Sequence, residues 1–322
     1  MAHNVETMAY AGELPWHGLG KAVSPDLTPH EMLVEAGLDW TVSKKQGFIW
    51  LPDPKEEGKF IETPIARSAL IRDSDNKILD TVTNDWCPLQ NEEAFSFFND
   101  FVKAGDMEMH TAGSLKGGQL PWALAKVKDG FTVGKNDRVE SHLLFTNPHQ
   151  FGKAIDIRFT PVRVVCWNTL SLALSSIDQQ QIAKVSHRKA FDAEKVKQIL
   201  GIAHHKLGTY EEAAQFLASR PFTSETLNNF FKDIFPKKSD KAKPEAEQIS
   251  RNHKLALEVI DSQPGHDMAP GTWWQAFNAV TYMTDHLMGR ATETRLQSAW
   301  FGSNRDLKTR ALTTATKMAE LV

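Results

Sequence analysis

Apolar and polar positions alternate in the middle of the chain, and this two-residue period predicts β-strands. The connections between the apolar runs contain Asp-Gly and Gly-Lys-Asn, which are typical of turns. We expect three antiparallel strands, at residues 122–127, 141–146 and 154–165. A helix at about residues 168–176 should follow, which gives a strand-strand-strand-helix core.

Cap and turn residues predict the elements before this core. Thr28-Pro29-His30-Glu31 has an N-cap threonine, a proline at the first helical position and a glutamate at the third, so a helix should begin there and end at Gly37. The polar residues 73–76 separate two apolar runs, which predicts a hairpin. Asn91 is expected to cap a further helix that ends at Gly105.

Beyond residue 186 the apolar positions follow the helical period almost throughout, and capping residues divide this part into several helices, including 193–207 and 209–219. Residues 237–247 are polar and charged around Pro244, which predicts a mobile loop. We therefore expect an α+β fold in two parts. Residues 1–186 should form a mixed core with a mainly antiparallel sheet packed on helices, and residues 187–322 a helical region.

The composition narrows the class of protein. The chain has 322 residues, of which 41 % are hydrophobic and 24 % charged, and no apolar run approaches the length of a membrane span. The first twenty residues lack the pattern of a signal peptide, so we expect a cytoplasmic protein. The two cysteines are too few for a disulfide framework or a thiolate zinc site, and both are expected to be reduced.

The charge is distributed unevenly along the chain. Residues 1–119 hold 10 Lys and Arg against 19 Asp and Glu, a net charge of −9, whereas residues 120–322 hold 27 against 21, a net charge of +6. A positive balance of this size permits binding to a polyanion. Nine Trp and eighteen Phe could stack on nucleobases, although filling the core is the commoner use of such rings.

Cationic side chains on the predicted strands are the candidate contacts to nucleic acid. Lys126, Lys128, Arg158 and Trp122 have even numbers within their strands and should project from one face. A solvated sheet face would look the same, and Arg163 is better explained as a structural cation at the corner before the next helix, which Asn168 could cap. The full candidate set is Lys126, Lys128, Lys153, Arg158, Arg163 and Trp122, with Arg188 and Lys189 as a second basic stretch.

Motifs for catalysis and metal binding are missing from the sequence. The histidines lack the spacing of a helical zinc pair, and the apolar neighbours of Cys166 favour an inert thiol. Residues 113–118 are rich in glycine but lack the full P-loop pattern, so a flexible turn explains them better than a phosphate loop. We expect no catalytic residue, no cofactor, no metal and no enzymatic activity.

Four motifs together resemble a known family. They are Pro15-Trp16-His17-Gly18-Leu19-Gly20, Thr111-Ala112-Gly113-Ser114-Leu115, Arg163-Val164-Val165-Cys166-x-Asn168-Thr169-Leu170 and Trp300-Phe301-Gly302. In this order they are similar to the phage/plasmid-like proteins that carry the domain of unknown function 932, over about residues 8–301. The family's Asn-Ser-His-Asp-Gly-Ser-like stretch is replaced here by residues 147–152, which keep His149 and lose the acidic residue.

The element order also resembles that of phage single-strand annealing proteins, which form rings or filaments around one DNA strand. This resemblance implies a non-enzymatic protein that binds single-stranded DNA, or RNA, and anneals it in recombination or replication as a homo-oligomer. The alternative is a protein-binding factor that modifies host physiology or counters a host defence system. Salt dependence separates the two, because phosphate contacts release counterions.

Overall fold

A computed structural model describes residues 5–12, 18–128, 130–163, 168–169, 183–237, 249–289, 295, 298–299 and 302–321. These residues form an α+β fold with a helical C-terminal region. The strands are β1 (Val5–Ala11), β2 (Lys21–Val23), β3 (Val42–Pro52), β4 (Phe60–Arg72), β5 (Lys77–Val82), β6 (Met107–Leu115), β7 (Leu120–Val127), β8 (Phe131–Val133), β9 (Asp137–Thr146), β10 (Ile155–Arg163), β11 (Asn168–Thr169) and β12 (Ala183–Val185).

Nine of these strands form one large sheet in the order β11-β10-β9-β7-β6-β1-β2, with β12 on β10 and β8 on β9. Neighbouring strands are antiparallel except for β1 and β2. The remaining strands β3, β4 and β5 form a separate antiparallel meander. The predicted mainly antiparallel sheet is therefore confirmed.

The helices are α1 (Pro29–Glu35), α2 (Asn91–Ser96), α3 (Asn99–Ala104), α4 (Ala193–Ser219), α5 (Ser224–Ile234), α6 (Arg251–Val259), α7 (Trp273–Tyr282) and α8 (Ser303–Glu320). A π-helical turn, Met283–Leu287, continues α7. Within the described parts of the chain, no helix has the length and hydrophobicity that crossing a bilayer requires.

The two larger hydrophobic clusters hold most of these elements together. In the first, α1, α2 and α3 cover one face of the large sheet, and Met32 and Phe98 are fully buried against sheet residues such as Ala112 and Leu143. In the second, the C-terminal helices pack around Trp273 and also cover β8 and the start of β9. The cluster of the C-terminal helices thus includes part of the large sheet.

Most predictions from local signals are confirmed. Thr28 and Glu31 form the predicted capping box of α1, and the hairpin of β4 and β5 turns through Asn76 in the left-handed region. The helical prediction around residue 208 is partly wrong, because α4 runs uninterrupted through Gly208 and no second helix begins at Thr209. One glycine in a helix interior costs only about 1 kcal/mol, which the packing of a long helix outweighs.

Two predicted caps are wrong. Gln90, and not Asn91, precedes α2, and the Asn91 amide donates to the Leu38 carbonyl instead. Asn168 lies in β11, where it pairs with Arg163. Residues 170–176 of the predicted core helix lie outside the described residues, as does the predicted mobile loop except for residue 237.

Candidate functional site

Trp122, Lys126 and Arg158 project from one face of the large sheet, as their even numbers predict. The strand register places Trp122 opposite Thr146 and Lys126 opposite His142, both on β9, and Arg158 opposite Leu144 of the same strand. Directly opposed residues of neighbouring strands share a face. The prediction that these three side chains share one face is therefore confirmed.

The same three residues do not line an open groove. Trp122 is only 1 % exposed and belongs to a hydrophobic cluster with Tyr10, whereas Arg158 is 8 % exposed. Lys126 Nζ lies 2.7 Å from Glu140 Oε1. The predicted nucleic-acid trough along the middle strands is wrong at these positions, because the ring is part of the core, one cation is buried and the other is paired.

Arg158 belongs to a buried ionic cluster between the sheet and the last helix. Its Nε lies 3.2 Å from Asp156 Oδ1, and Lys308 of α8 lies 2.8 Å from Asp285 Oδ1. Burial lowers the pKa of Arg158 and of Lys308, while the neighbouring carboxylates oppose that shift. Buried cations require such partners, and one of these pairs lies within β10 while the other joins α8 to the π-helical turn.

Two histidines next to Lys126 are held in the neutral form. The rings of His110 and His142 lie 5.0 Å apart in an edge-to-face arrangement. Burial lowers the pKa of His110 to about 4 and that of His142 well below its ordinary value. Neither imidazole therefore contributes positive charge to this face at neutral pH.

Lys128 and Arg163 lie at two ends of strands. Lys128 is exposed just after β7, where its backbone N–H donates to the Asp106 carbonyl. Arg163 ends β10, and its backbone pairs with Val139 and Asn168.

Lys153 and Arg188, by contrast, are brought together at one open cleft of about 230 Å³. Three connections form it: the loop after β5, the loop between β9 and β10, and the turn after β12. We call it the cationic cleft. It is lined by Trp86, Phe151, Gly152, Lys153, Ala154, Ser186, His187 and Arg188.

Ring stacking and backbone hydrogen bonds join the three connections. The Trp86 and His187 rings stack with centroids 4.1 Å apart, and the Cys87 N–H donates to the His187 carbonyl at 2.7 Å. On the other side, the Phe151 N–H donates to Asp80 Oδ2 at 2.8 Å. Burial lowers the pKa of His187 to about 4, so this ring is a neutral wall of the cleft.

Cations surround the cleft in excess of carboxylates. The Arg67 guanidinium lies 4.4 Å from the centre of the Phe151 ring, and Lys189 follows Arg188 in the turn. Burial and the charge of Lys153 lower the pKa of Lys116. The cations are Arg67, Lys116, Lys153, Arg188 and Lys189, and the carboxylates are Asp80 and Asp85, which pairs with Arg188 at 3.1 Å.

This arrangement suits a ligand that carries both negative charge and a flat ring. The charge of Lys153 disfavours the charged form of Lys116, so an anion that binds near both lysines would be stabilised. The Phe151 ring is 40 % exposed and offers a surface for stacking. No group of three or more potential metal ligands occurs among the described residues.

The sequence predicts Lys153, Arg188 and Lys189 as contacts to nucleic acid, but it does not indicate the other residues of the cleft. Lys116 lies in the glycine-rich segment that was interpreted as a turn, and its φ of 56° confirms that turn. Arg67, Trp86 and Phe151 come from three distant parts of the chain. No spacing in the sequence indicates that these residues meet.

Comparison with known proteins yields one family. The model of the family described as Domain of unknown function (DUF932) matches residues 78–300, which include every lining residue of the cleft. No curated protein and no solved structure matches the chain.

Proposed function

The chain belongs to the family of the domain of unknown function 932, and because that description names no activity, we propose a function from the site alone. The protein binds single-stranded nucleic acid at its cationic cleft and anneals it, without enzymatic chemistry, in the recombination or replication of a phage or plasmid. Single-stranded DNA is the expected ligand and RNA the other candidate. The place of action is the cytoplasm of a bacterial host.

One observation carries this proposal, namely an exposed aromatic ring beside an excess of cations. Phe151 can stack on a base, while Lys153, which lines the cleft, and Lys189, which is exposed next to Arg188, can contact phosphates. Annealing requires that the backbone is held and that the base edges stay free to pair. A site that combines stacking with phosphate contacts meets that requirement, and a homo-oligomeric ring or filament would place many such clefts along one strand.

Salt dependence of binding is the first test. For single strands the logarithm of the binding constant falls with the logarithm of salt concentration, with a slope of about −0.7 per phosphate contact. Contacts from Lys153, Arg188 and Lys189 therefore predict a slope of about −2. Fluorescence anisotropy of a labelled single-stranded oligonucleotide measures the slope, and a duplex and an RNA of the same sequence show which ligand is preferred.

Substitutions in the cleft test the site itself. Lys153→Ala with Lys189→Ala should weaken binding and reduce the slope by about 1.4. Phe151→Ala should cost about 1 to 3 kcal/mol of binding free energy through lost stacking, with little change in slope. Lys128→Ala is the matched control. This exposed lysine lies at the far end of β7, about 27 Å from Leu120, whereas Gln119, next to Leu120, accepts from the His149 N–H in the loop that carries Phe151 and Lys153.

Unchanged affinity of the double lysine variant at low salt would contradict the proposal, and so would an equal loss in the Lys128→Ala control. The protein-binding alternative is favoured by a different observation, the exposed apolar residues of β3 and β4. It predicts a shallow salt slope and no annealing of complementary strands.

A further inference from the structure

Lys116, in the turn between β6 and β7, has two features that are uncommon for a lysine. It is half-buried, whereas lysine is rarely buried unless it is paired. Its backbone lies in the left-handed region with a φ of 56°, which is costly for most residues that carry a side chain. The other such residue in the described part of the chain is Asn76, with a φ of 57°. Backbone strain of this kind clusters at ligand-binding sites, so Lys116 is a candidate contact.

Neighbouring side chains maintain the conformation of this turn. A Cβ added to Gly117 would collide with the Lys77 ammonium, and one added to Gly118 would lie 2.7 Å from the Arg72 guanidinium. The two glycines therefore let the turn pack closely against the hairpin of β4 and β5. This packing holds Lys116 in its strained conformation.

A backbone hydrogen bond attaches the same turn to the cationic cleft. The His149 N–H donates to the Gln119 carbonyl at 2.8 Å, and two residues further along this loop lies Phe151, which lines the cleft. Lys153 follows in the same loop, and its charge lowers the pKa of Lys116. The β6–β7 turn therefore lies beside this wall of the cleft.

No carboxylate pairs with Lys116 among the residues that the structure describes. The carboxylate of Glu6 is shared by Arg72, at 2.9 Å, and Lys77, at 3.6 Å. Within the described ranges, the ammonium groups of Lys116 and Lys153 form neither an ion pair nor a hydrogen bond. A half-buried ammonium group without a carboxylate partner is stabilised when an anion binds to it.

We propose that Lys116 binds a phosphate group of the nucleic-acid strand, next to the nucleotide whose base stacks on Phe151. This inference rests on the proposed function, because the strand supplies the phosphate. A bound phosphate offsets the repulsion between the charges of Lys116 and Lys153. The strand then runs from the turn after β12, across Phe151 and onto the β6–β7 turn, which extends the site beyond the residues that line the cleft.

Replacing Lys116 by glycine separates binding from stability. Lys116→Gly loses one phosphate contact, so its affinity for a labelled single-stranded oligonucleotide should fall about five-fold at about 0.1 M salt, and the salt slope should become shallower by about 0.7. Because glycine adopts a positive φ readily, the melting temperature should stay equal or rise. Asn76→Gly is the matched control, since it relieves the same backbone conformation without removing a charge and should leave the affinity unchanged.

Two further variants distinguish a specific contact from general attraction. Lys116→Arg keeps the positive charge and should bind within about two-fold of the unaltered protein. Lys128→Ala removes one charge at the far end of β7 and should weaken binding less than Lys116→Gly does. An equal loss in these two variants would overturn the proposal, and so would a lower melting temperature of Lys116→Gly, which would assign the lysine to folding.

The outcomes also separate this contact from the proposed function on which it rests. Unchanged affinity of Lys116→Gly, together with weaker binding of the variant that lacks Lys153 and Lys189, would overturn the Lys116 contact and leave the proposed function standing. Failure of the unaltered protein to bind single-stranded DNA or RNA at low salt would overturn both.

Discussion

Acidification should unfold this protein at a pH well above the ordinary range of carboxylates. Burial lowers the pKa of His110 and His187 to about 4 and that of His149 to about 3, from an ordinary value of 6.5. The unfolded chain therefore binds protons first as the pH falls. Stability contributed by these neutral rings is complete above pH 6.5 and is lost progressively below it.

The size of this loss of stability follows from the pKa shifts of the histidines. At about pH 5, each of these histidines favours the unfolded chain by about 2 kcal/mol, so the three together remove about 6 kcal/mol. The shift of His142 acts in the same direction. Domains of this kind are stable by about 5 to 15 kcal/mol, so this loss approaches the whole stability.

The carboxylates affect the free energy of unfolding at lower pH than the histidines do. Hydrogen bonds and the charge of Arg72 lower the pKa of Asp75 to about 2, and Arg72, Ser114 and Lys77 lower that of Glu6 against the opposing effect of burial. Their contribution is present above the ordinary values of 4.5 for Glu and 3.8 for Asp and is lost below them. The range between pH 5 and 6.5 therefore reports the histidines.

Urea unfolding at about pH 7.5 and about pH 5 measures the effect. His149→Gln keeps a donor for Asn91 and removes one titrating ring, so the difference between the two pH values should shrink by about 2 kcal/mol. His30→Gln, at an exposed position, is the control. Equal unfolding free energies at the two pH values, or a larger one at pH 5, would refute the reasoning.

Two further predictions concern the free energy of unfolding. Lys308→Ala should lower it by about 3 to 5 kcal/mol in urea unfolding, because the variant leaves Asp285 charged and buried, whereas replacing both residues by apolar ones should cost less. A loss near zero would contradict the buried pair. Gly113→Ala should cost about 1 to 3 kcal/mol and lower the melting temperature, because an added Cβ would lie 2.4 Å from the Thr7 carbonyl oxygen. Gly208→Ala, with open space around it in α4, should not destabilise, and equal melting temperatures of the two variants would count against the steric argument.

The elements that the sequence predicts well depend on neighbours in the chain. The capping box of α1 forms between Thr28 and Glu31, and the β4–β5 turn depends on four consecutive residues. The alternation in β7 and β10 gave the correct face for Trp122 and Arg158. What surrounds these side chains is a long-range property, since Tyr10 of β1 shares the cluster of Trp122 and Lys308 of α8 lies in the ionic cluster of Arg158. The sequence pattern does not show either.

The errors have the same origin. Asn91 has the sequence signal of a cap, but its side chain forms hydrogen bonds with Leu38, Asn147 and His149 instead. All three partners are more than fifty residues away in the chain. The cationic cleft is assembled from equally distant loops. Positive charges in the sequence indicate part of this cleft. The pairing of Lys126 with Glu140 depends on the register of β7 and β9, which the sequence does not show.

The hydrogen bonds of Asn91 have a consequence for the rate of ligand capture. Its carbonyl oxygen accepts from Asn147 and His149, at the start of the loop that continues to Phe151 and Lys153. Helix α2 therefore fixes this loop before any ligand arrives. Little conformational entropy remains to be lost on encounter, and association at this preorganised site should be governed by diffusion and electrostatic attraction.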